Sequence, residues 1–196
     1  MPDPLALGLD TSAAHCAAAL LRGDAVLAHR HEDMAKGQAE RLFPLLEDLL
    51  ADAGLSWHDL DVIGVGVGPG NFTGIRIAVA AARGLALSLG IPAVGVTATK
   101  AAACDLPRPC RVVLPLRADQ VAWQDFGAGA GDRPQQAAAG SLPPGPEPSE
   151  PLVPPAIAIA RIALSRRADP GPRPAPLYLR PADAAPPRDP APLILP

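Results

Sequence analysis

Aromatic side chains make up only 3% of this 196-residue chain, and much of its 48% apolar content is alanine. The core must therefore be built from small and aliphatic side chains. An apolar fraction of this size excludes a chain that is disordered throughout. The length permits one large domain or two small ones.

The chain also lacks an excess of positive charge, since its formal net charge is −3 and its pI is about 5.8. Proteins that bind nucleic acid on their own usually carry a basic stripe, so we expect no independent DNA- or tRNA-binding surface. The N-terminus has no basic stretch followed by a long apolar one, and no run of about 18 apolar residues is free of charge. Both absences predict a cytoplasmic protein without membrane contact.

Groups that bind metals or act as nucleophiles are sparse. The cysteines, Cys16, Cys104 and Cys110, are few and widely spaced, so we expect reduced and inert thiols. His29 and His31 lie two residues apart on a predicted strand, but two ligands without a third His or Cys do not form a zinc site. The chain has neither a Gly-x-Ser-x-Gly elbow nor a His-Glu-x-x-His motif. We therefore predict no metal and no catalytic residue.

Prolines divide the chain into two parts, because only five of the 26 precede residue 100. Proline removes a strand donor and stops helices, so the later part is predicted to form only short elements. We predict a first α/β domain over 1–104, a short proline-rich second domain over 105–182 and a C-terminal tail over 183–196. Residues 127–155 are predicted to form a loop or linker that is mobile or loosely packed.

Apolar periodicity in the first part predicts the order β-β-β-α-β-α-β. The second and third strands flank Gly23-Asp24, a spacing typical of a hairpin. Each of the two helices ends at a glycine, Gly54 or Gly90. This order predicts an α/β fold in which helices cover a mixed sheet. The predicted strands are 5–11, 15–22, 25–32, 62–68 and 93–99, and the predicted helices are 38–53 and 73–89.

A glycine-rich stretch, GVGPGNFTG (66–74), separates the fourth strand from the second helix. Gly70 follows Pro69 and can adopt a positive φ, and Thr73 is the predicted N-cap of the helix. The stretch lacks the Gly-Lys-Ser/Thr ending of a P-loop and the frame of the dinucleotide fingerprint. Two interpretations stay open: a structural turn, or an anion contact at the first amides of the helix.

Asp10, at the end of the first strand, is the single plausible catalytic carboxylate. It is either part of a hydrogen-bonded strand end or a weak nucleotide or anion contact together with Thr11, Gly68 and Gly70. Hydrolysis of a nucleotide would also need a second phosphate clasp. No such clasp is visible after residue 105, since GAGAGD (127–132) opens a linker rather than a helix.

Three stretches resemble the TsaB family: LGLDTS (7–12), GQAERLFPLLEDLLADAGL (37–55) and GVGPGNFTGIRIAVAAARGLAL (66–87). Weaker similarity returns at RADQVAWQDF (117–126) and PLYLRP (176–181). This family is the non-catalytic partner of the transferase TsaD, which makes threonylcarbamoyladenosine in bacterial tRNA. The chain has Asn71 where the family usually has Ser, and Gln38 where many members have His.

The resemblance implies the ribonuclease H-like fold of the actin, sugar-kinase and heat-shock-chaperone ATPases, with the second domain reduced. It implies a scaffold that dimerises with a TsaD-like transferase through its first-domain helices and is joined by a TsaE-like ATPase. We expect only indirect contact with tRNA, and no cofactor apart from ATP at an interface of the complex. A homodimer is a further expected assembly. The alternative is a small ATPase or carbohydrate kinase of the same superfamily that uses Asp10.

The two long helices are predicted to form the partner surface, because the first is apolar on more than one face and the second presents small residues beside larger ones. Arg76 and Arg83 lie seven residues apart and are predicted to rim the contact. The predicted interface comprises Leu42, Leu45, Leu46, Leu49, Ile75, Arg76, Ala78, Val79, Ala82 and Arg83.

Overall fold

A computed structural model describes residues 3–179 of the chain. Its first sheet is mixed, as predicted, because β1 pairs antiparallel with β2 and parallel with β4. The predicted hairpin at Gly23-Asp24 joins β2 to β3. The strand order is β3-β2-β1-β4-β5. The strands are β1 (Leu5–Asp10), β2 (His15–Arg22), β3 (Ala25–Asp33), β4 (Val62–Gly66) and β5 (Ala93–Val96).

Two long helices, α1 (Gln38–Asp52) and α2 (Phe72–Leu89), cover one face of this sheet. Their bounds agree with the predicted helices to within one residue. Gly54 and Gly90 follow them with φ of +65° and +68°, the left-handed conformation that ends helices. Between α1 and β4, Ser56 and Asp59 form the capping box of a single 3-10 turn.

The large apolar side chains of β1 all point toward α1 and α2. Successive residues of a strand face opposite sides, so Leu5, Leu7 and Leu9 pack together among the leucines of α1 and Ile75 of α2. Leu5, Leu7 and Leu9 are at most 1% exposed. This side of the sheet forms the larger core of the protein.

The opposite face of the sheet is lined by small residues and carries α3 (Ala98–Ala102) and α4 (Pro155–Ser165). Gly8 and Gly64 allow α4 to approach closely. A Cβ at Gly8 would lie 2.2 Å from the carbonyl oxygen of Ala156, and a Cβ at Gly64 would lie 2.7 Å from that of Ile159. The helix backbone therefore rests directly on β1 and β4.

The position of α4 corrects the predicted division of the chain at residue 104. This helix lies within the predicted second domain, 105–182, yet it packs on the first sheet. The physical reason is that both faces of the first sheet are apolar, and each needs a covering layer. The predicted tail, 183–196, lies outside the described residues.

A second, antiparallel sheet follows in the order β6-β7-β8. Its last strand lies within residues 127–155, so the prediction of an unbroken loop there is wrong. A buried hydrogen bond joins the two parts, because the Thr99 hydroxyl on α3 donates to Oε1 of Gln124 on β7 over 2.6 Å. The strands are β6 (Cys110–Pro115), β7 (Gln120–Phe126) and β8 (Gln135–Ala138).

Arg111 on β6 holds the proline-rich segment against the second sheet. Its buried guanidinium donates to both carboxylate oxygens of Asp125, over 2.6 and 2.8 Å, and to the carbonyl oxygen of Pro143 over 2.6 Å. The backbone amide of Ser149 donates to the carbonyl of Arg111. The guanidinium also holds the pKa of Asp125 below its ordinary value. The prediction of loose packing is therefore wrong for this part of the segment.

We expect Arg111→Met to lower the free energy of unfolding by about 2–3 kcal/mol, because it leaves Asp125 and the Pro143 carbonyl without their charged donor. The loss stays below that of a fully buried ion pair, since Asp125 is 28% exposed. Urea denaturation measures this change, and limited proteolysis should show faster cleavage within residues 139–153. Arg133→Met is the control, because Arg133 is exposed and forms no ion pair or hydrogen bond within residues 3–179. Equal stability of the two variants would contradict the assigned role.

Candidate functional site

Asp10 is buried at the end of β1, and both of its carboxylate oxygens are engaged within the chain. Oδ1 accepts a hydrogen bond from the amide of Ser12 over 3.0 Å, and Oδ2 lies 2.9 Å from Nε2 of His15. Gly66 on β4 packs closely against the same carboxylate, since a Cβ at this position would lie 2.2 Å from Oδ1. This geometry favours the hydrogen-bonded strand end. The partner His15 was missed because only the β1–β2 pairing brings it close.

The glycine loop packs directly on the backbone that follows Asp10. A Cβ at Gly70 would lie 2.1 Å from the carbonyl oxygen of Ser12, and a Cβ at Gly74 would lie 1.8 Å from that of Thr11. The Thr11 hydroxyl donates to the carbonyl of Gly74 over 2.6 Å. Gly68 adopts a φ of +92°, and a Cβ there would lie 2.5 Å from Ile75. These glycines therefore serve close packing within the chain.

Asn71, rather than the predicted Thr73, caps the start of α2. Its Oδ1 accepts hydrogen bonds from the amides of Thr73 and Gly74, over 3.0 and 3.3 Å. These amides belong to the helix start at which an anion contact was one of the two open interpretations. The geometry thus does not support the anion contact predicted for Asp10, Thr11, Gly68 and Gly70, and it favours the structural turn.

Eight of the ten predicted interface residues lie in the protein's own core and are at most 3% exposed. Apart from Leu42, which is 1% exposed but lines the groove between the two helices, they are out of a partner's reach, so their assignment to the interface is wrong. The physical reason is that the main apolar stripe of each helix covers the sheet beneath it. The eight residues are Leu42, Leu45, Leu46, Leu49, Ile75, Ala78, Val79 and Ala82.

A second set of residues on α1 and α2 faces away from the sheet and leaves an open apolar groove between the two helices. We call it the helix-pair groove. Its volume is about 450 Å³. Residues on α2 recur every three or four positions from Ile77 to Ser88, and Phe43 on α1 remains 43% exposed. A sequence signal for this surface was Gly84, since glycine inside a helix usually has a packing or functional reason. The groove is lined by Ala39, Leu42, Phe43, Ile77, Ala80, Ala81, Gly84, Leu85 and Ser88.

The two predicted rim arginines are exposed, but their surroundings differ. Arg76 donates from Nε to the hydroxyl of Tyr178 over 3.0 Å, and its guanidinium lies 3.8 Å from the centre of the Phe72 ring. The Phe72 and Tyr178 rings are themselves 4.8 Å apart. Arg83 forms no hydrogen bond or ion pair with the residues that the structure describes.

Among residues 3–179, no three His, Cys, Asp or Glu side chains are grouped so that they could hold a metal ion. His29 and His31 lie on β3, and Nε2 of His31 is 3.2 Å from Oδ1 of Asp33. All three cysteines are free. Burial raises the pKa of the Cys16 thiol to about 11, so this thiol is protonated at neutral pH and is a poor nucleophile.

Within the described part of the chain, α2 is the one helix long and apolar enough to cross a membrane by length and composition alone. Core helices of soluble proteins pass the same test. The inner face of α2 packs on the sheet through Ile75, Ala78 and Val79.

The mixed sheet, its covering helices and the loop after β1 define a domain of the actin, sugar-kinase and heat-shock-chaperone ATPase fold, as the resemblance implied. The family model of TsaD, tRNA N6-adenosine threonylcarbamoyltransferase, matches residues 30–114. The solved structure of YeaZ from Pseudomonas aeruginosa matches with a TM-score of 0.73 and 25% identity, over 90% of this chain and 100% of that chain. Together these matches support the resemblance to the TsaB family.

A second solved structure gives the same values: a TM-score of 0.73, 25% identity, 90% of this chain and 100% of the other. It is described as an uncharacterized protein from Pseudomonas aeruginosa with similarity to peptidase YeaZ. No curated protein sequence matches this chain. The described fold is that of a soluble protein.

Two glycines of α2 provide a matched test of the loop packing. We expect Gly74→Ala to lower the free energy of unfolding by about 1–3 kcal/mol, because its methyl group would collide with the Thr11 carbonyl. We expect Gly84→Ala to raise it by about 0.5–1 kcal/mol, because nothing lies within 4 Å of the added carbon and alanine favours the helix. Chemical denaturation of both variants measures the difference. A stable Gly74→Ala variant would show that the loop is not tightly packed on β1.

Proposed function

We propose that this chain is a non-catalytic scaffold that activates a TsaD-like transferase by forming a heterodimer with it. The complex installs threonylcarbamoyl on the adenosine next to the tRNA anticodon, and a TsaE-like ATPase joins it in the cytoplasm. The chain contacts tRNA only indirectly and can also pair with a second copy of itself. Its similarity to the TsaD family model and to YeaZ supports a place in this modification pathway.

The helix-pair groove is the observation that carries the proposal. It exposes apolar side chains on the outer face of two rigid helices, and exposed apolar patches of soluble proteins usually mark partner sites. Ala80 and Gly84 are small, so a helix of the partner can approach the axis of α2 closely. Two helices from each protein would then form a four-helix contact.

The closed strand end at Asp10 supports a role without catalysis. Ser12 and His15 engage both carboxylate oxygens, and Asn71 engages the first amides of α2. A nucleotide would have to displace these contacts. The alternative function, a small ATPase or carbohydrate kinase, rests on the buried position of the Asp10 carboxylate at the end of β1.

We expect Gly84→Arg to weaken binding to a purified TsaD-like transferase by tenfold to a hundredfold or more. The free chain accommodates the side chain, since nothing lies within 4 Å of the new Cβ, but the arginine then occupies the groove. Excluding one buried leucine from a contact costs roughly 1.5–3 kcal/mol, which corresponds to about tenfold to a hundredfold in Kd. Isothermal titration calorimetry measures the change.

The control for this experiment is Ala139→Arg, which places the same charge on an exposed residue directly after β8, beside the second sheet. Its affinity should equal that of the unmodified chain. Tight binding by Gly84→Arg would show that the groove is not the interface. Leu45, Ala78 and Ala82 are unsuitable sites for such an arginine, because these positions are buried and the charge would disrupt the core.

ATP turnover distinguishes the alternative function. We expect the purified chain to show no hydrolysis of ATP above background and no change on Asp10→Ala, measured by phosphate release in the presence of Mg²⁺. Hydrolysis that disappears in Asp10→Ala, while circular dichroism shows a folded variant, would favour the kinase or ATPase.

A further inference from the structure

A second surface groove lies at the C-terminal end of α2, and we call it the arginine groove. Its volume is about 470 Å³. One wall is the end of α2, and the other is the segment that follows α4. Its principal lining residues are Arg83, Leu87, Ile91, Pro92, Pro170 and Arg173.

The arginine groove combines an apolar floor with unpaired positive charge. Leu87 is 81% exposed, the most exposed of the large apolar side chains that the structure describes. Arg83 and Arg173 form no hydrogen bond or ion pair within residues 3–179, and no acidic residue lines the groove. Arg83 and Leu87 are four positions apart, so they share one face of α2.

The second wall of the groove is held in place before any ligand binds. The Arg166 guanidinium donates to the carbonyl of Pro170 over 3.1 Å and to that of Gly95 over 3.4 Å. Gly171 adopts a φ of +72°, and a Cβ there would lie 2.8 Å from Arg166. A preformed wall lowers the conformational entropy that binding must remove.

The arginine groove continues directly from the helix-pair groove, because Gly84 lines both. A protein bound along α2 therefore reaches Arg83 and Leu87 without leaving the helix. Two guanidinium groups beside an apolar floor match carboxylates that alternate with an apolar side chain. Nucleic acid fits less well, because phosphate backbones are bound by longer rows of basic residues and this chain carries a net charge of −3.

We propose that the arginine groove binds an acidic segment of the same transferase that covers the helix-pair groove. This inference rests on the proposed function. The segment places carboxylates on Arg83 and Arg173 and an apolar side chain against Leu87. These charges steer the encounter of the two proteins, so they act mainly on the association rate.

The test compares association kinetics of the full chain and its variants with an immobilised TsaD-like transferase. At about 50 mM salt we expect Arg83→Glu and Arg173→Glu each to reduce the association rate about tenfold, the lower end of electrostatic steering. At about 1 M salt, where the Debye length is about 3 Å, the variants should approach the unmodified chain. Arg133→Glu, an equal charge change on an exposed residue of another region, should stay within twofold. Arg83→Gln and Arg173→Gln give smaller losses and serve if a reversed charge impairs folding.

The outcomes separate this inference from the proposed function. If the unmodified chain does not bind the transferase, the proposed function fails, and the groove inference fails with it. If Gly84→Arg impairs binding but the Arg83 and Arg173 variants associate like the unmodified chain, the groove inference alone is overturned. If those variants associate normally but the assembled complex loses affinity for tRNA, the groove binds phosphate and the inference is likewise overturned. If deleting residues 180–196 and reversing either charge shift the thermal stability equally without changing association, the occupant is the chain's own C-terminal segment, and the inference is overturned.

Discussion

The contact between the glycine loop and the backbone after β1 determines the arrangement of the first domain. The carbonyl oxygens of Thr11 and Ser12 occupy the space that side chains at residues 74 and 70 would fill. Only glycine permits this approach, and its cost in backbone entropy is offset by hydrogen bonds such as that from Thr11 to Gly74. The contact fixes where α2 starts on the sheet and how the helix is rotated. Ile75 and Val79 therefore face the core, while Ile77 and Gly84 face outward.

The same contact bears on the proposed scaffold role of a fold that is shared with ATPases. In this chain the carboxylate after β1 is engaged by Ser12 and His15, and the helix start is capped by Asn71. The polar groups that could meet a phosphate instead bind one another. They make the loop rigid, and a rigid loop supports a helix whose outer face keeps its shape. A preorganised face lowers the conformational cost of binding a partner.

Local features of the fold could be predicted from the sequence, whereas features that depend on distant contacts could not. The hairpin at Gly23-Asp24 and the helix ends at Gly54 and Gly90 depend on a few neighbouring residues. The packing of α4 on β1 depends on residues about 150 positions apart, which no local pattern records. Periodicity also showed that α1 has apolar residues on more than one face. It did not show which stripe faces the sheet, because aliphatic and alanine positions occur in both.

For the predicted partner surface, the apolar residues chosen from the sequence lie on the inner side of α1 and α2, where they form the core. Leucines stand out in the apolar pattern of a helix. In a chain with only 3% aromatic residues, however, the core also has to be built largely from them. The groove that remains exposed combines small residues, such as Ala80 and Gly84, with Phe43 and three aliphatic side chains, Leu42, Ile77 and Leu85. The pairing of Asp10 with His15 was equally hidden, since it follows from strand register.

The placement of α4 has a consequence for the synthesis of the protein on the ribosome. When the first five strands and α1 to α3 have been synthesised, the small-residue face of the sheet, with Ala6, Ala17 and Val62, still lacks its cover. That cover arrives only after the second sheet and the proline-rich segment have emerged. The nascent chain thus exposes a flat, alanine-rich sheet face during synthesis, and a chain cut short before residue 155 would keep it exposed. Proteins with such late closure depend on protection from aggregation until their last helix docks.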